Sequence, residues 1–345
     1  MRLCTNIDYA GDLRAAAERA AGLESAGVEL VWVAEAYGAD AVSLMGFLAA
    51  RTESVLIGSG ILPVYTRTPS LIAQTAVGVD ALSGGRCILG LGASGPQVIE
   101  GWHGLRYDSP LGRTRDVIEI CRKVWRRERV EYEGRTWRVP LAPDEGTGLG
   151  KPLKMITHPV RDRIPIFVAS LGEKNVAMTA ELAEGWLPFM FVPDRANAVW
   201  GDALAAGMAK RDPELGPLET VAGGLVAIGP EAEVAAVRDL ARPMTALYVG
   251  GMGARGKNFY NELFARYGWE ADAARIQDLY LDGHKEDAAA AVPAEFLRQS
   301  TLVGDDGFVR ERLAAYAEAG VTWLSVTPVG PDPVRTLARL RELMP

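Results

Sequence analysis

The sequence predicts an α/β fold, a closed (β/α)8 TIM barrel with insertions. Three observations carry that expectation. Eight short, apolar, β-branched runs alternate with stretches of helical period, the pattern of parallel strands joined by crossover helices. An open doubly wound sheet usually stops at about five to seven strands, so eight units favour closure. The 345 residues would allow two domains at roughly 150 residues each, yet a barrel of 250 or more folds as one unit. Residues 1–345 therefore read as a single barrel domain, enlarged by a hairpin and loop insertion at 128–163 and a helical insertion at 231–300.

The elements follow in order. Leu3 to Ile7 opens the strand series. Leu13, Ala16, Ala17, Ala20 and Leu23 recur at helical spacing, and Gly27 is a good residue to stop that helix. Leu30 to Ala34 is the second strand, followed by a helix over Ala41 to Arg51. The run Val55 to Ile61, a helix over Ser70 to Leu82, the turn Ser83-Gly84-Gly85 and the run Cys87 to Leu91 continue the alternation. Val117, Ile120, Cys121, Val124 and Trp125 mark a helix over Leu111 to Arg126. Two short runs flanking Glu133-Gly134-Arg135 then predict a β-hairpin, and 140–165 is polar loop. Ile166 to Ala169, Trp186 to Phe191 and Thr220 to Ile228 are strands five, six and seven, with helices over Lys174 to Ala183 and Asp194 to Lys210 between them. An Ala-rich, charged helical stretch follows; a helix over Asp306 to Ala319, the strand Thr322 to Thr327 and a helix over Asp332 to Leu343 close the chain.

Thirty-seven Lys and Arg against 44 Asp and Glu give a net charge of −7. A surface of that balance has no basic field to gather nucleic acid or anionic lipid, so neither is an expected partner. Met1 to Asp12 lacks a cationic stretch followed by an apolar core, which points to a cytoplasmic location. Cys4, Cys87 and Cys121 match neither a disulfide framework nor a zinc set, and read as buried small residues. Glycine and proline are in surplus: 38 and 20 residues, about 17% of the chain against roughly 12% on average.

In a barrel of this kind the reacting groups sit on the loops after the strands. Gly90-Leu91-Gly92-Ala93-Ser94-Gly95 satisfies a dinucleotide-binding pattern, but no helix is predicted to open at its third glycine; the next clear one begins near Leu111. It reads instead as a glycine loop that lets a flat ring or phosphate approach the backbone. Ala169-Ser170-Leu171-Gly172 feeds a helix amino terminus, which suits a phosphate or carboxylate and equally suits a plain cap at Ser170. Gly58 and Gly60 in strand three mark a bulge or a close approach. Arg67 beyond them reads as a surface charge rather than an anion contact. Glu35, just past strand two, is the leading acid or base candidate, with a purely structural carboxylate as its alternative. His103 lies in a strand-end loop, while His158 and His284 read as surface residues, and no histidine pair has metal-ligand spacing. Ser94 and Ser170 lack a nucleophile elbow. With no metal, nucleophile or triad indicated, the pattern calls for a cofactor that brings its own chemistry.

The chain resembles the bacterial luciferase-like family, in its branch using the deazaflavin coenzyme F420. The likeness is carried by Val31-Trp32-Val33-Ala34-Glu35-Ala36-Tyr37-Gly38, by Gly58 to Pro69, by Gly92 to Gly104, by Ile164 to Ser170, by Ala183 to Pro188 and by Gly250 to Asn258. It implies a barrel with the coenzyme in its carboxyl-end mouth and a non-prolyl cis peptide, here Gly60–Ile61, backing the ring. It further implies Ala93, Ser94 and Gly95 beside the ring, and Ala169, Ser170, Leu171 and Gly172 around the ribityl-phosphate arm. The family's acidic residue maps to Glu35, but the histidine that follows it in several relatives is Ala36 here, which leaves Tyr37 or His103 as substitutes. The implied function is hydride transfer between C5 of the deazaflavin and a small organic substrate by a homo-oligomeric enzyme. An FMN-dependent monooxygenase and a non-catalytic deazaflavin-binding protein are the alternatives.

Overall fold

The computed structural model describes residues 1–7 and 11–344. Residues 8–10, within the amino-terminal stretch considered above for a leader, lie outside the described part. Eight parallel strands form the barrel: β1 (Arg2–Asn6), β2 (Leu30–Val33), β3 (Leu56–Ser59), β4 (Cys87–Gly92), β5 (Ile166–Ala169), β6 (Gly185–Leu187), β7 (Glu219–Ile228) and β8 (Trp323–Pro328). Each pairs with the next in sequence and β8 pairs with β1, so the sheet closes on itself. Outside lie α1 (Leu13–Glu24), α2 (Ala41–Arg51), α3 (Pro69–Ser83), α4 (Pro110–Trp125), α5 (Glu173–Leu182), α6 (Pro193–Met208), α7 (Asp306–Glu318) and α8 (Pro333–Leu343). Local chemistry explains most of their starts. Asp12, Asp40, Thr68, Asp305 and Asp332 each cap a helix by accepting a first-turn N–H. α5 has no such side-chain cap: its N-cap is Gly172.

Four departures from the sequence reading have physical causes. The expected strand Val55 to Ile61 is broken after Ser59, and the chain re-forms a two-residue strand, Leu62–Pro63, that pairs with Leu91 and Gly92. The intervening Gly60–Ile61 peptide is cis, as the resemblance implied. β6 stops at Leu187 because Pro188 cannot extend the ladder and Met190, at φ +54°, turns the chain. A six-residue helix, Pro96–Gly101, does open directly at Gly95, contrary to the expectation of no helix before Leu111. What excludes a dinucleotide fold is instead the closed barrel, which lacks the switch point of an open sheet. Finally, the helical insertion ends in an unforeseen strand, Leu302–Gly304, on the carboxyl half of β7.

Inward-facing residues fill the barrel in layers. Cys4, Leu30, Trp32, Ile88, Phe167, Val221 and Trp323 form one buried cluster. Beneath it, the Arg2 guanidinium lies 3.8 Å over the Trp323 ring and donates to Glu219, which also accepts from the Trp323 indole, so the amino-terminal end is plugged. The carboxyl end is different. Asn6 and Thr327 are exposed although they lie on barrel strands, and Ala169, Leu187 and Leu225 are only half-buried. That end is an open well.

The insertions are anchored separately. Asp116, buried in α4, accepts from the Tyr132 hydroxyl, the Thr136 hydroxyl and the N–H groups of Arg135, Thr136 and Trp137, fixing the predicted hairpin Tyr132–Glu133 to Arg138–Val139. Arg161, at the far end of that insertion, binds the buried Asp80 and donates to the Cys87 carbonyl at 2.7 Å. All three cysteines are buried as expected; burial pushes the Cys4 thiol up to about 12 and raises those of Cys87 and Cys121, so none is an activated nucleophile. No helix among the described residues is long and apolar enough to cross a membrane.

Candidate active site

Glu35 leaves the end of β2 and meets Arg67 from the loop after Leu62–Pro63. Arg67 donates through both terminal nitrogens, at 2.5 and 2.9 Å, and the Ala41 N–H at the start of α2 donates to the same carboxylate at 2.9 Å. The side chains are 9% and 16% exposed, so this pair is an internal strut of the rim. The reading of Arg67 as a surface charge is thereby corrected: a guanidinium matches a carboxylate with two parallel donors, and Glu35 supplied the match. The bond to Glu35 raises the Arg67 pKa further, so it stays cationic. Glu35 is placed at the mouth as expected, but its oxygens are committed to fixed donors. Tyr37 is 63% exposed on the outer rim. His103 is half-buried, with an Nε2 that has no partner. Among the described residues no hydrogen bond joins these three side chains. His158 and His284 are exposed, as expected.

The strand-end glycines divide into two kinds. A Cβ on Gly58 would lie 2.4 Å from the Trp32 ring and one on Gly60 would lie 3.3 Å from the Trp32 Cβ, so the space beside both is occupied by tryptophan. A Cβ on Gly92 would meet Ile61 at 2.9 Å. These glycines admit large neighbours, and at Gly58 the close approach is made by the Trp32 side chain. Gly172 is of the other kind: a Cβ there would meet nothing within 4 Å.

The turn after β4 is held in place from above. Ser94 adopts φ +57°, and its carbonyl accepts from the Tyr107 hydroxyl at 3.2 Å. Tyr107 stacks on Tyr65 with ring centroids 5.2 Å apart. The turn after β5 is held from behind: the Trp186 indole donates to the Ser170 carbonyl at 2.9 Å and the Trp200 indole to that of Leu171 at 2.8 Å. The Ser170 hydroxyl faces Thr179 at 2.9 Å. It is therefore not a cap, and what this turn presents outward is backbone. The first two amides of α5 have no helical partner, because the helix's own bonding starts with the Asn175 and Val176 N–H groups on the Gly172 carbonyl. Asn175 Oδ1 is buried there without a partner. None of Tyr107, Trp200 or Asn175 was legible as a site residue, since nothing in their spacing differs from ordinary core and helix positions.

Two surface clefts lie beside this mouth rather than in it. One, of about 550 Å³, is lined by Arg275, Leu279, Asp287 and 290–293 within the helical insertion. The other, of about 500 Å³, runs between the hairpin and the starts of α4 and α5. The open well at the carboxyl end, with its pinned turns and uncapped helix, is the better site on chemical grounds.

Comparison with known proteins decides the family. The model of the luciferase-like monooxygenases matches residues 3–323. This chain belongs to the luciferase-like family of enzymes. A curated relative from Mycobacterium tuberculosis, named a putative coenzyme F420-dependent oxidoreductase, is 41% identical over 94% of this luciferase-like chain and 93% of its own. The 5,10-methylenetetrahydromethanopterin reductase of Archaeoglobus fulgidus is 27% identical over 93% of this chain and 92% of its own. Among solved structures, a coenzyme F420-dependent tetrahydromethanopterin reductase from Methanopyrus kandleri superposes with a TM-score of 0.80 at 19% identity, covering 99% of this chain and 98% of that one. That likeness establishes the luciferase-like barrel.

Proposed function

We propose that the chain is a coenzyme F420-dependent oxidoreductase that passes a hydride between C5 of the deazaflavin and a small organic substrate. The observation that carries this reading is the 41% identity, over nearly the whole chain, to a protein named for that coenzyme. The residues of the mouth fit the group. A phosphate or polyol arm finds two unused amides at α5, an open Gly172 and the unpartnered Asn175 Oδ1. Ala93, Ser94, Gly95 and the Gly60–Ile61 peptide would face the ring, and Ala169, Ser170, Leu171 and Gly172 would hold the arm through backbone groups. When bound, the coenzyme supplies the two-electron carrier. The protein orients the reactants, excludes water and handles the accompanying proton. Glu35 enters this scheme as a fixed negative charge that keeps Arg67 in place, so an unanchored group, His103 or Tyr37, is the better proton carrier. The enzyme is further proposed to be a cytoplasmic homo-oligomer; Leu149 and Ile156, 84% and 93% exposed in the hairpin insertion, support self-association, to be checked by light scattering.

Titration of the pure protein with F420 and with FMN tests the reading. Tighter binding of F420 is expected. Tighter binding of FMN would replace the proposal with a monooxygenase, and F420 binding without turnover across a broad substrate panel would reduce it to a carrier.

A further inference from the structure

The helical insertion brings two tyrosines over the mouth. Tyr248 lies in a π-helical turn, Leu247–Gly251, a rare conformation that recurs at functional sites. The turn is held by side chains: buried Asn258 donates to the carbonyls of Tyr248 and Val249 at 2.9 and 3.0 Å, and Asn261 donates to those of Val249 and Ala273. Gly250 and Gly251 are required beneath it, since a Cβ on either would lie within 2.5 Å of Tyr280. Tyr248 is therefore presented by a rigid support. Its ring lies 4.8 Å from that of Tyr260, edge to face, and both meet Phe189 from the loop after β6, at 4.4 and 5.7 Å.

Phe189 belongs to the loop at the carboxyl end of β6, which ties the cluster to the mouth. Burial, with the phenols of Tyr248 and Tyr107, raises the Tyr260 pKa. No member of the cluster carries a charge at neutral pH. Phe189 remains 38% exposed, so one face of the aromatic corner is open.

We propose that Phe189, Tyr248 and Tyr260 form the substrate wall of this mouth and select a flat, uncharged, ring-bearing compound over an open-chain one. The inference rests on the proposed coenzyme site, because it assigns the ring of the substrate to the aromatic side of the same well. Rings packed on rings gain about 0.5–1.5 kcal/mol beyond buried area, which corresponds to roughly two- to tenfold in affinity.

The test uses the full chain with oxidised F420 present and two neutral ligands, 2-methyl-1,4-naphthoquinone and 2-heptanone, with dissociation constants measured by saturation-transfer NMR. Wild type is expected to bind the quinone more tightly. Phe189→Leu, which keeps apolar volume and removes the ring, should weaken the quinone two- to tenfold and leave the ketone unchanged; Tyr260→Phe should stay close to wild type. If Phe189→Leu does not fold, Tyr248→Leu gives the same readout. No quinone binding by wild type, equal binding of both ligands, or an unchanged ratio in Phe189→Leu or Tyr248→Leu would overturn the proposal. Parallel F420 titrations of each protein separate the outcomes: failure of wild type to bind F420 refutes the coenzyme assignment, whereas intact F420 binding with an unchanged ligand ratio refutes only the aromatic wall.

Discussion

Glu35 shows how far a residue's identity and position reach, and where neighbours take over. Position at a strand end made it a natural acid or base, but three donors now define it: two from Arg67 and one from the Ala41 amide. A carboxylate held this way is a support. Replacing Glu35 by Gln should cost about 1.5–3 kcal/mol, the range for hydrogen bonds to charged groups. In urea titrations the double variant with Arg67→Gln should cost less than the sum of the singles, and additive costs would show that the two side chains do not act as a pair. Turnover, once a substrate is known, should fall in step with loss of the rim's geometry and leave F420 affinity roughly intact. Trp32 makes a related point. Its ring needs glycine at 58, so part of the unusual composition of β3 reflects packing by a residue 26 positions upstream of Gly58.

At the scale of elements, periodicity located nearly every barrel strand and helix, and α2 spans the predicted Ala41 to Arg51. What periodicity could not locate were elements defined by partners rather than by pattern. Leu302–Gly304 is three apolar residues that become a strand only because β7 offers an edge. The helix Pro96–Gly101 is one and a half turns, too short for an apolar stripe to declare itself. The π turn at Leu247–Gly251 depends on side-chain amides from Asn258 and Asn261, contacts with no local signature. The candidate site was legible to the same degree: the loops that form it were named from strand ends, whereas residues that aim those loops, Tyr107 and Trp200, reach them through the fold. The hairpin insertion gives an element-scale prediction. Asp116 is the buried anchor of its hairpin half, and although burial raises its pKa, bonds from Thr136 and Tyr132 outweigh that and lower it. Asp116→Ala should release the hairpin, so limited proteolysis should cut within 128–163 before the barrel is attacked. Cleavage at the wild-type rate would show that other contacts suffice.

For the whole molecule, acid stability has an identifiable contributor. Glu24, at the end of α1, faces the approach to β3. Burial opposes its charge, but the Ser54 hydroxyl and the N–H groups of Ser54, Val55 and Glu53 bring its pKa down to about 2. A carboxyl lowered on folding adds stability above its unfolded pKa, near 4.3, and that stability is lost as pH falls through the folded value. Thermal melts should therefore show the wild-type midpoint dropping between about pH 4.5 and pH 2, with Glu24→Gln less stable at pH 7 and flatter across that window. Parallel curves would remove Glu24 from the acid limb.

The insertion after β7 leaves and returns at almost one point. The Gly229 N–H donates to the Gly304 carbonyl at 3.1 Å, and Leu302–Gly304 occupies the edge of β7 that β6 pairs with only at Glu219 and Thr220. Everything from Pro230 to Thr301 thus hangs from a staple whose two arms are already joined. Such an arrangement is modular: a foreign segment of different length, grafted between Gly229 and Leu302, would inherit its end-to-end distance from the barrel itself. The exchange would still be felt on the coenzyme side of the mouth, because Tyr267 packs edge-on against Trp200, which holds the Leu171 carbonyl, and Arg266 pairs with Glu173 at the start of α5.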